Sequence, residues 1–257
     1  MALRLLGAPP IDLHGGGIDL VFPHHENEIA QAEGATGKPF SRFWMHTEFL
    51  NLDNEKMSKS IGNVFTVRDI LEKGYRASAL RFLLISVHYR KQLTFNWELL
   101  DQADAAVTRI ADCLGRVSRC NGGIPHDEIQ ERVAKAREDF RAMVTADLNI
   151  PGAIGVVFDL VRDVNSAIDR ADVGEHDAAV VQAAFADFDK VLGVLALRRA
   201  EDERPPMPVE EIERLIAERR DARSTRRFAR ADEIRKELES KGVVLEDSAA
   251  GTRWKRK

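Results

Sequence analysis

Cysteine and long apolar runs are both scarce in this sequence, and each shortage excludes a class of protein. Only two cysteines occur among 257 residues. Cys113 and Cys120 cannot form a disulfide framework, and their spacing fits no paired-cysteine metal motif. No apolar run approaches the roughly 20 residues of a bilayer-spanning helix, and no basic-then-apolar export signal is present. We therefore expect no membrane association and a reducing, cytoplasmic location.

An excess of positive charge is also lacking. Lysine and arginine total 38 against 42 acidic residues, which gives a formal net charge of −4. This balance argues against a protein that coats nucleic acid with a uniformly basic surface. Any nucleic-acid contact must then come from a local patch. Hydrophobic residues make up 44% of the chain, so an intrinsically disordered chain is excluded as well.

The first of three zones, residues 1–62, is rich in glycine, histidine and proline. An apolar stretch, Ile11 to Leu13, leads into three consecutive glycines, a pattern that predicts a strand ending in a loop. Pro23 suits a helix start, and the residues from His24 onward tolerate a helix. A second strand is predicted over Phe43 to Leu50, followed by a loop. This zone is therefore expected to be α/β.

The remaining chain is predicted to be mostly helical. Residues 63–200 carry apolar side chains at helical spacing and read as an all-helical bundle, with breaks at Asn121-Gly122-Gly123, Asn149-Ile150-Pro151 and Gly174. Residues 201–208 contain three prolines and read as a linker. Residues 209–257 predict two short helices and a small hairpin.

His24 and Glu28 form the first candidate site. They lie four residues apart, so on a helix they project from one face and could share a metal ion. A zinc site needs about four ligands, and this stretch supplies two. The alternative is an ordinary N-terminal helical turn whose acids complement the helix dipole.

Residues 56–60, Lys-Met-Ser-Lys-Ser, form the second candidate site. Flexible lysine side chains in a loop rich in serine and glycine suit a polyphosphate, because their charge offsets the charge that builds as pyrophosphate leaves. A solvated surface loop is the alternative, although this five-residue string is highly specific.

The third candidate site is a cation-rich C-terminal segment. Arginines crowd residues 219–236, and Trp254 lies among the basic residues that close the chain. Cations hold phosphates, and an indole beside them can stack on an unpaired base. The alternative is a solvated basic helix with Trp254 as a cap on a local core. Composition alone does not separate the two.

These motifs together resemble one family. Residues 56–60 match the signature loop of class I aminoacyl-tRNA synthetases letter for letter. The string His14-Gly15-Gly16-Gly17, Asp19, and the stretch from Phe22 to Glu28 make the chain similar to cysteinyl-tRNA synthetases in particular. The resemblance extends through the helical region to the Gly-Val-Val-Leu-Glu-Asp and Gly-Thr-Arg-Trp strings near the C-terminus.

The resemblance implies a fold that is mainly α. Residues 1–62 would be the C-terminal part of a Rossmann-type α/β nucleotide-binding catalytic domain with the signature loop. Residues 63–200 would be a helical bundle that contacts the tRNA stem. After the linker at 201–208, residues 209–257 would form a small α+β anticodon-recognition domain.

The resemblance also implies a two-step reaction and its partners. Cysteine would attack the α-phosphate of ATP, supplied with Mg2+, to give cysteinyl-adenylate and pyrophosphate, and tRNA-Cys would then take the cysteinyl group. A zinc ion would bind the substrate thiolate, which it prefers to a serine hydroxyl. The full-length enzyme is expected to be a monomer.

Residue roles follow from the resemblance by position. His24 and Glu28 match two of the four family zinc ligands, and the other two are cysteines. The implied catalytic residues are Lys56, Lys59 and His14. The implied ATP-binding residues are Gly16, Gly17, Asp19 and Lys59, with Asp19 on the ribose. The implied tRNA-binding residues are Arg227, Arg230, Asp247, Arg253 and Trp254, with Asp247 as an acceptor for a base edge.

Two family features are absent from the sequence. No His-x-Gly-His string occurs, and Cys113 and Cys120 lie too far downstream to be the family's zinc cysteines. The first residues resemble the family stretch that follows the second of those cysteines. Our hypothesis is that the chain is the C-terminal part of a longer synthetase, with weak or absent activity alone. Residues 1–62 are then expected to be poorly folded or prone to aggregate.

Two alternative functions remain open on the sequence. The related ligase that joins cysteine to an amino sugar in mycothiol synthesis shares the catalytic core, but it has no need of a basic, tryptophan-bearing end. A non-catalytic tRNA-binding protein would explain the missing ATP motif but would leave the residue 56–60 loop without a purpose.

Overall fold

The structure is a computed structural model, and it describes residues 5–52, 55–56, 65–204, 207–225, 227–248 and 251–256. Within those ranges, none of the helices has both the length and the apolar character needed to cross a membrane.

The N-terminal part is a β-α-β unit. Strand β1 (Ile11–Gly17) and strand β2 (Ser41–Thr47) pair in parallel, and helix α1 (Glu26–Thr36) connects them after a short 3-10 turn (Ile18–Leu20) and a kinked turn (Val21–His25). A helix crossover of this kind is the usual way to join parallel strands.

The prediction that β1 ends before the glycines is wrong. The strand runs on to Gly17, because residues 15–17 pair in register with residues 45–47 of β2. Glycine is weak in a strand, but a neighbouring strand that supplies hydrogen-bond partners overrides that local preference. Helix α1 begins at Glu26, two residues later than predicted.

The second predicted strand, Phe43 to Leu50, is in fact two strands. Strand β2 ends at Thr47, and β3 (Leu50–Leu52) belongs to a second sheet with the order β4-β3-β5. Strand β4 (Glu55–Lys56) is antiparallel to β3, and β5 (Leu93–Phe95) is parallel to it. The expectation that residues 63–200 are entirely helical is therefore wrong at β5.

Side chains of β1 and β2 alternate between two faces. His14 is opposite Trp44, and Gly16 is opposite His46, so these four residues share the face covered by the turn and α1. The next pair along, Leu13 and Phe43, lies on the other face.

That other face is exposed. Leu13 is 58% exposed and Phe43 is 67% exposed, although both are large apolar residues in the middle of paired strands. Phe22, in the kinked turn, is 77% exposed. An apolar sheet face without a covering layer is unusual for a soluble domain.

Helices form the bulk of the chain. They are α2 (Val67–Glu72), α3 (Ala77–Ile85), α4 (Trp97–Val117), α5 (Asp127–Thr145), α6 (Ile150–Asp169), α7 (Glu175–Leu192) and α8 (Leu195–Asp202). The predicted breaks are confirmed, since Asn149 caps α6 and Gly174 caps α7. One continuous core of buried apolar residues joins these helices to β5, and it includes Phe95, Phe140, Phe185 and Phe188. The expectation of a mainly α chain is confirmed.

The C-terminal part has a core of its own. Helices α9 (Val209–Ser224) and α10 (Phe228–Ser240) pack on the antiparallel hairpin of β6 (Val243–Ser248) and β7 (Gly251–Arg256). Their shared core consists of Ile212, Leu215, Ile234, Leu238, Val243 and Leu245. The predicted pair of helices and the hairpin are both confirmed.

The first residues of the predicted linker belong to α8. Glu201 accepts a hydrogen bond from the backbone N–H of Ala77 at 2.6 Å and another from the Ser78 hydroxyl at 2.6 Å. A carboxylate at this position complements the N-terminal end of α3. The domain boundaries themselves stay a prediction.

Candidate functional site

Histidines from three elements meet on the covered face of the β-α-β unit. His14 comes from β1, His25 from the turn before α1, and His46 from β2. Glu28, in the first turn of α1, points its carboxylate into the same space. We call His14, His25, His46 and Glu28 the histidine cluster. The parallel pairing of β1 and β2 places His14 and His46 on the same face of the sheet, and the turn and α1 bring His25 and Glu28 over that face.

Glu28 carries the one buried side-chain oxygen that lacks a hydrogen bond among the described residues. Its Oε2 lies 2.9 Å from Nε2 of His14 and 3.7 Å from Nε2 of His24, yet no described group donates to it with acceptable geometry. A buried carboxylate oxygen without a donor is costly unless a cation compensates it. The position therefore calls for a protonated histidine or a metal ion.

His25 is the buried member of the histidine cluster. The residue is 3% exposed, and its Nδ1 lies 2.9 Å from Nε2 of His46. Burial, followed by the charges of His14 and His46, lowers the pKa of His25 below its ordinary value. Its ring is therefore neutral at pH 7 and keeps a nitrogen lone pair.

Gly16 and Trp44 shape the space around these rings. A Cβ on Gly16 would lie 2.9 Å from Cε1 of His25 and 3.1 Å from its Nε2, so a larger residue would displace that ring. The Trp44 ring centroid lies 4.8 Å from that of His14 and 5.0 Å from that of His25. Trp44 also stacks on His46 with an angle of 8° between the ring planes.

The cluster has the donor set of a metal site. One potential ligand atom from each of His14, His25 and Glu28 lies within 4.8 Å of the other two. The predicted pair, His24 and Glu28, does project from one side, but the His24 side chain is 59% exposed. Whether either set binds a metal stays a prediction.

His25 and His46 are not identified as site residues from the sequence. Spacing along one helix picks out His24 and Glu28, because that argument needs no tertiary information. His46 falls inside the predicted second strand, with Trp44 two residues before it. The alternation of that strand, set beside β1, is a signal for His46; His25 lies in the turn before α1, where no such alternation applies.

Most of the predicted nucleotide-binding residues lie at or beyond the end of β1. Asp19 is exposed in the 3-10 turn, and a Cβ on Gly17 would lie 2.5 Å from its Oδ1. Gly16 is required by the His25 ring, as described above.

The backbone of Lys56 pairs with Asn51 in the β3–β4 ladder. Lys59 lies outside the described residues. The ATP roles stay predictions.

The arginines of the C-terminal helices are partly neutralised. Arg230 donates to Glu218 at 2.7 Å and to Glu233 at 3.2 Å. Arg227 precedes α10, is exposed, and donates from Nε to the Thr225 hydroxyl at 3.0 Å. Of the two, Arg227 is the more available to a phosphate.

Asp247 is held in an ion pair. Arg219 is 7% exposed and donates to both of its carboxylate oxygens, at 2.9 and 2.8 Å, and the Thr252 hydroxyl donates at 2.7 Å. The hydrogen bonds from Arg219 and Thr252 hold the pKa of Asp247 well below its usual range. An incoming base would have to compete with these donors.

Trp254 and Arg253 belong to strand β7. Trp254 is opposite Leu245 and packs against the small C-terminal core while staying partly exposed. The backbone of Arg253 pairs with Glu246. The tRNA-binding roles of these residues stay predictions.

Three family models match the chain, in order and without overlap. The tRNA synthetases class I (C) catalytic domain matches residues 1–105, the DALR domain matches residues 139–196, and the cysteinyl-tRNA ligase anticodon binding domain matches residues 206–254.

Curated relatives match over the whole chain. A cysteine–tRNA ligase of Geobacter sulfurreducens is 44% identical over 99% of this chain and 56% of its own length. That of Brevibacillus brevis is 43% identical over 100% of this chain and 55% of its own length. The chain thus spans about half the length of the curated relatives it matches.

Solved structures share the fold at low identity. The chain superposes on LeuRS in an Agrobacterium radiobacter LeuRS-tRNA-LeuAMS ternary complex with a TM-score of 0.54 and 17% identity, covering 72% of this chain and 27% of that one. It superposes on Mycobacterium tuberculosis methionyl-tRNA synthetase with a TM-score of 0.50 and 21% identity, covering 73% and 41%. These likenesses support a class I synthetase fold with a Rossmann-like catalytic part.

Proposed function

The chain belongs to the cysteinyl-tRNA synthetase family, and from that premise we propose that it takes part in the ATP-dependent joining of cysteine to tRNA-Cys. The observation that carries the proposal is the order of the three family models, catalytic, DALR and anticodon-binding, along one chain. A cytoplasmic location and a monomeric state of the complete enzyme belong to the same proposal.

Cysteine selection is assigned to the side of the kinked turn and the first turn of α1 that carries His24 and Glu28. A zinc ion bound there would supply a soft Lewis acid that prefers a thiolate to a hydroxyl. The buried, donor-free Oε2 of Glu28 fits this role, because it offers a lone pair where a cation is needed. His24 lies on the same side, 3.7 Å from that oxygen. The family's two cysteine ligands have no counterpart in this sequence.

Nucleotide handling is assigned to the end of β1 and to the loop at residues 56–60. Asp19 is exposed beyond β1, where its carboxylate can accept hydrogen bonds from a ribose. His14 lies on the covered face of β1 and would contact the adenylate. Lys56 and Lys59 would offset the charge that develops on the phosphates as pyrophosphate leaves.

Contact with tRNA is assigned to the C-terminal part. Arg227 is exposed, and among the described residues its side chain donates to Thr225, so it can reach a phosphate at little cost. Trp254 keeps part of its ring exposed and can stack on a base. The roles proposed for Arg230, Asp247 and Arg253 are weaker, because Arg230 and Asp247 already have charged partners.

A tRNA gel shift tests the proposal. We expect the full chain to retard tRNA-Cys more strongly than a non-cognate tRNA, and we expect Arg227→Ala to weaken binding several-fold by removing one phosphate contact. Arg42→Ala is the matched control, because Arg42 is an exposed arginine of β2, outside the segments to which tRNA contact is assigned. Equal affinity for all tRNAs at every salt concentration would contradict the proposal.

Cysteine-dependent pyrophosphate exchange on the same sample tests the catalytic part. We expect weak or absent exchange, because the sequence holds neither a His-x-Gly-His string nor the family cysteines. Brisk exchange would show that the chain assembles the active site by other residues. Neither alternative function is favoured by the comparisons, since an anticodon binding domain matches residues 206–254 and the relatives are named as tRNA ligases.

A further inference from the structure

A groove lies on the helical bundle where α4, α7 and α8 meet. Its volume is about 670 Å³, which is within the range of small-molecule sites. We propose that this groove binds an amphiphilic anion, a molecule with an unbranched apolar tail and a carboxylate head. We call it the bundle groove, and its walls include Ala111, Leu114 and Gly115 of α4 and Ala179, Ala183 and Ala186 of α7.

Small residues open the bundle groove. Ala179, Ala183 and Ala186 share one exposed face of α7, because residues three and four apart lie on the same side of a helix. A Cβ added to Gly115, on α4, would meet no described atom within 4 Å. Glycine inside a helix destabilises it relative to alanine, and no described neighbour requires a glycine here. The fold therefore leaves this space free.

The deeper part of the bundle groove is apolar. Phe185 of α7 and Leu195 of α8 are both buried, and both line the groove. Leu114 adds a partly buried apolar side chain of α4. Covering such surfaces with alkyl groups is favourable in proportion to the apolar area that leaves water. The groove walls therefore favour the apolar tail of a ligand.

One end of the bundle groove presents a cation. Helix α8 contributes Arg198, Arg199 and Asp202 to that end. Arg198 is buried and donates to Asp104 at 2.6 Å, and Asp202 pairs with Arg76. Arg199 is exposed, and no acidic side chain in the described part of the chain forms an ion pair with it. Its guanidinium can therefore bind the carboxylate of a ligand, with two hydrogen bonds.

The charged end lies opposite the end formed by Ser118 and Ala179. The backbone N–H of Glu175 donates to the carbonyl of Gly122 at 2.8 Å, which brings the start of α7 beside the end of α4. Helix α8 follows directly on the end of α7, so Arg199 lies at the other end of the groove. The carboxylate head is therefore assigned to Arg199, and the tail runs toward Ser118.

The dimensions favour a small molecule over a docked helix. Residues 111–118 rise about 10 Å along α4, and residues 179–186 rise as far along α7. An extended chain advances about 1.2 Å per bond, so about eight carbons span this length. One turn of a helix about 10 Å across takes about 400 Å³. The bundle groove has room for fewer than two such turns, and so short a helix is not stable.

Isothermal titration calorimetry of the full chain with sodium octanoate provides the test. We expect one octanoate per chain. From butanoate to octanoate, the affinity should rise about fourfold per methylene, because each CH₂ group adds a similar apolar area to the buried tail. 1-Octanol should bind at least about tenfold more weakly than octanoate, since it lacks the charge that pairs with Arg199.

Three variants locate the binding. Ala183→Leu fills the groove from the exposed face of α7 and should weaken octanoate binding at least about tenfold. Gly115→Ala narrows the groove and should weaken it about threefold. Arg199→Gln should remove the advantage of octanoate over octanol and leave octanol binding unchanged. Circular dichroism of each variant checks folding, and Gly115→Ala decides the matter if Ala183→Leu fails to fold, because alanine favours the helix.

Two controls separate the bundle groove from other surfaces. Arg141→Gln removes an exposed arginine of α5 that has no ion pair in the described ranges, and it should leave octanoate binding unchanged. Leu13→Thr combined with Phe43→Thr removes the exposed apolar face of β1 and β2, and it should also leave binding unchanged. A loss in this double variant would assign octanoate to the sheet face and contradict the proposal.

Three further results would overturn the assignment. One is the absence of octanoate binding by the folded chain, and sedimentation that changes in Ala183→Leu would then assign the groove to a protein partner. Another is equal affinity for octanoate and octanol. The third is undiminished binding in Ala183→Leu and Gly115→Ala. The titration contains no tRNA, ATP or amino acid, so its outcome is independent of the proposed function.

Discussion

At the scale of single residues, the two cysteines have contrasting environments in α4 and just beyond it. Cys113 is 1% exposed in the main core, and burial raises the pKa of its thiol to about 11. Cys120 lies past the end of the helix and is partly exposed. Only the thiolate reacts with alkylating and disulfide reagents, so the two thiols should differ sharply in reactivity.

We predict that one thiol per chain reacts rapidly with a disulfide reagent near pH 8, and that Cys113 reacts at least about 100-fold more slowly. Absorbance at the reporter band would show one fast equivalent for the folded chain and two after unfolding in urea. Cys120→Ser is the control, and it should remove the fast equivalent. A fast second equivalent in the folded chain would mean that the core around Cys113 opens readily.

Residue-scale reasoning from the sequence succeeded where the contacts are local. His24 and Glu28 do share one side of the chain, because four residues make about one helical turn. It failed for His25 and His46, since their meeting depends on which strand pairs with β1. It also could not see that Asp247 binds Arg219, because 28 residues separate the two.

At the scale of elements, the start of α7 depends on a buried carboxylate. Asp177 is fully buried and accepts hydrogen bonds from the backbone N–H groups of Gly174 and His126, at 3.0 and 3.1 Å. Burial alone would raise the pKa of Asp177, but these hydrogen bonds, together with the His126 side chain, lower it below its ordinary value. The folded chain thus binds a proton at Asp177 less readily than the unfolded chain does.

The sign of the pH effect follows from that depressed pKa. The stabilisation from Asp177 is fully present above about pH 4 and is lost as the pH falls below that value. We predict that Asp177→Asn lowers the free energy of unfolding at pH 7 by about 1–3 kcal/mol, because an amide replaces a charged acceptor. Urea unfolding at several pH values measures both effects.

The control for this experiment is a partly exposed aspartate of the same helix. Asp187→Asn should change stability by less than about 1 kcal/mol, because its salt bridges with Lys190 and Arg137 lie at the surface. If the free energy of unfolding of Asp177→Asn falls below pH 4 as steeply as that of the parent chain, another carboxylate causes the loss of stability in acid.

Helices were predictable as elements, and strand limits were not. Asn149 marks a helix start through its own capping side chain, and Gly174 marks one as a helix breaker, so the sequence displays both directly. The extension of β1 through Gly17 and the existence of β5 depend on partners about 30 and 43 residues away. No local pattern encodes such a partner, so propensity and periodicity could not give those limits.

At the scale of the whole molecule, the β-α-β unit presents an uncovered apolar face. Leu13 and Phe43 are opposite one another across β1 and β2 and are both more than half exposed. Exposed apolar faces of this kind promote self-association. The expectation that residues 1–62 are aggregation-prone stays a prediction, and this face gives it a specific location.

We predict that the double variant Leu13→Thr and Phe43→Thr lowers self-association, measured by sedimentation velocity over a range of concentrations. Threonine keeps strand preference, so the free energy of unfolding should change by less than about 1 kcal/mol. Ile124→Thr is the control, because Ile124 is 74% exposed in a loop of the bundle. If the double variant and the parent self-associate equally, the chain associates through a surface other than the face that carries Leu13 and Phe43.

The division into a strand-bearing N-terminal part, a helical bundle and a small C-terminal part was predictable from composition and spacing. The separation of the two apolar cores follows the same division, because the prolines near residues 205–208 interrupt the helical pattern. The sequence predicts that residues 1–62 expose apolar surface, but it does not predict which residues do so. The reason is that the sequence does not indicate which face of a strand is covered by a helix.

Trp44 connects the site to something that can be seen in solution. Its indole touches three of the imidazoles around Glu28, whereas Trp97 packs among the aromatic rings of the bundle and Trp254 lies in the C-terminal hairpin. A change in the position or charge of these imidazoles should therefore alter the fluorescence of Trp44, which makes this tryptophan an intrinsic optical reporter of the histidine cluster.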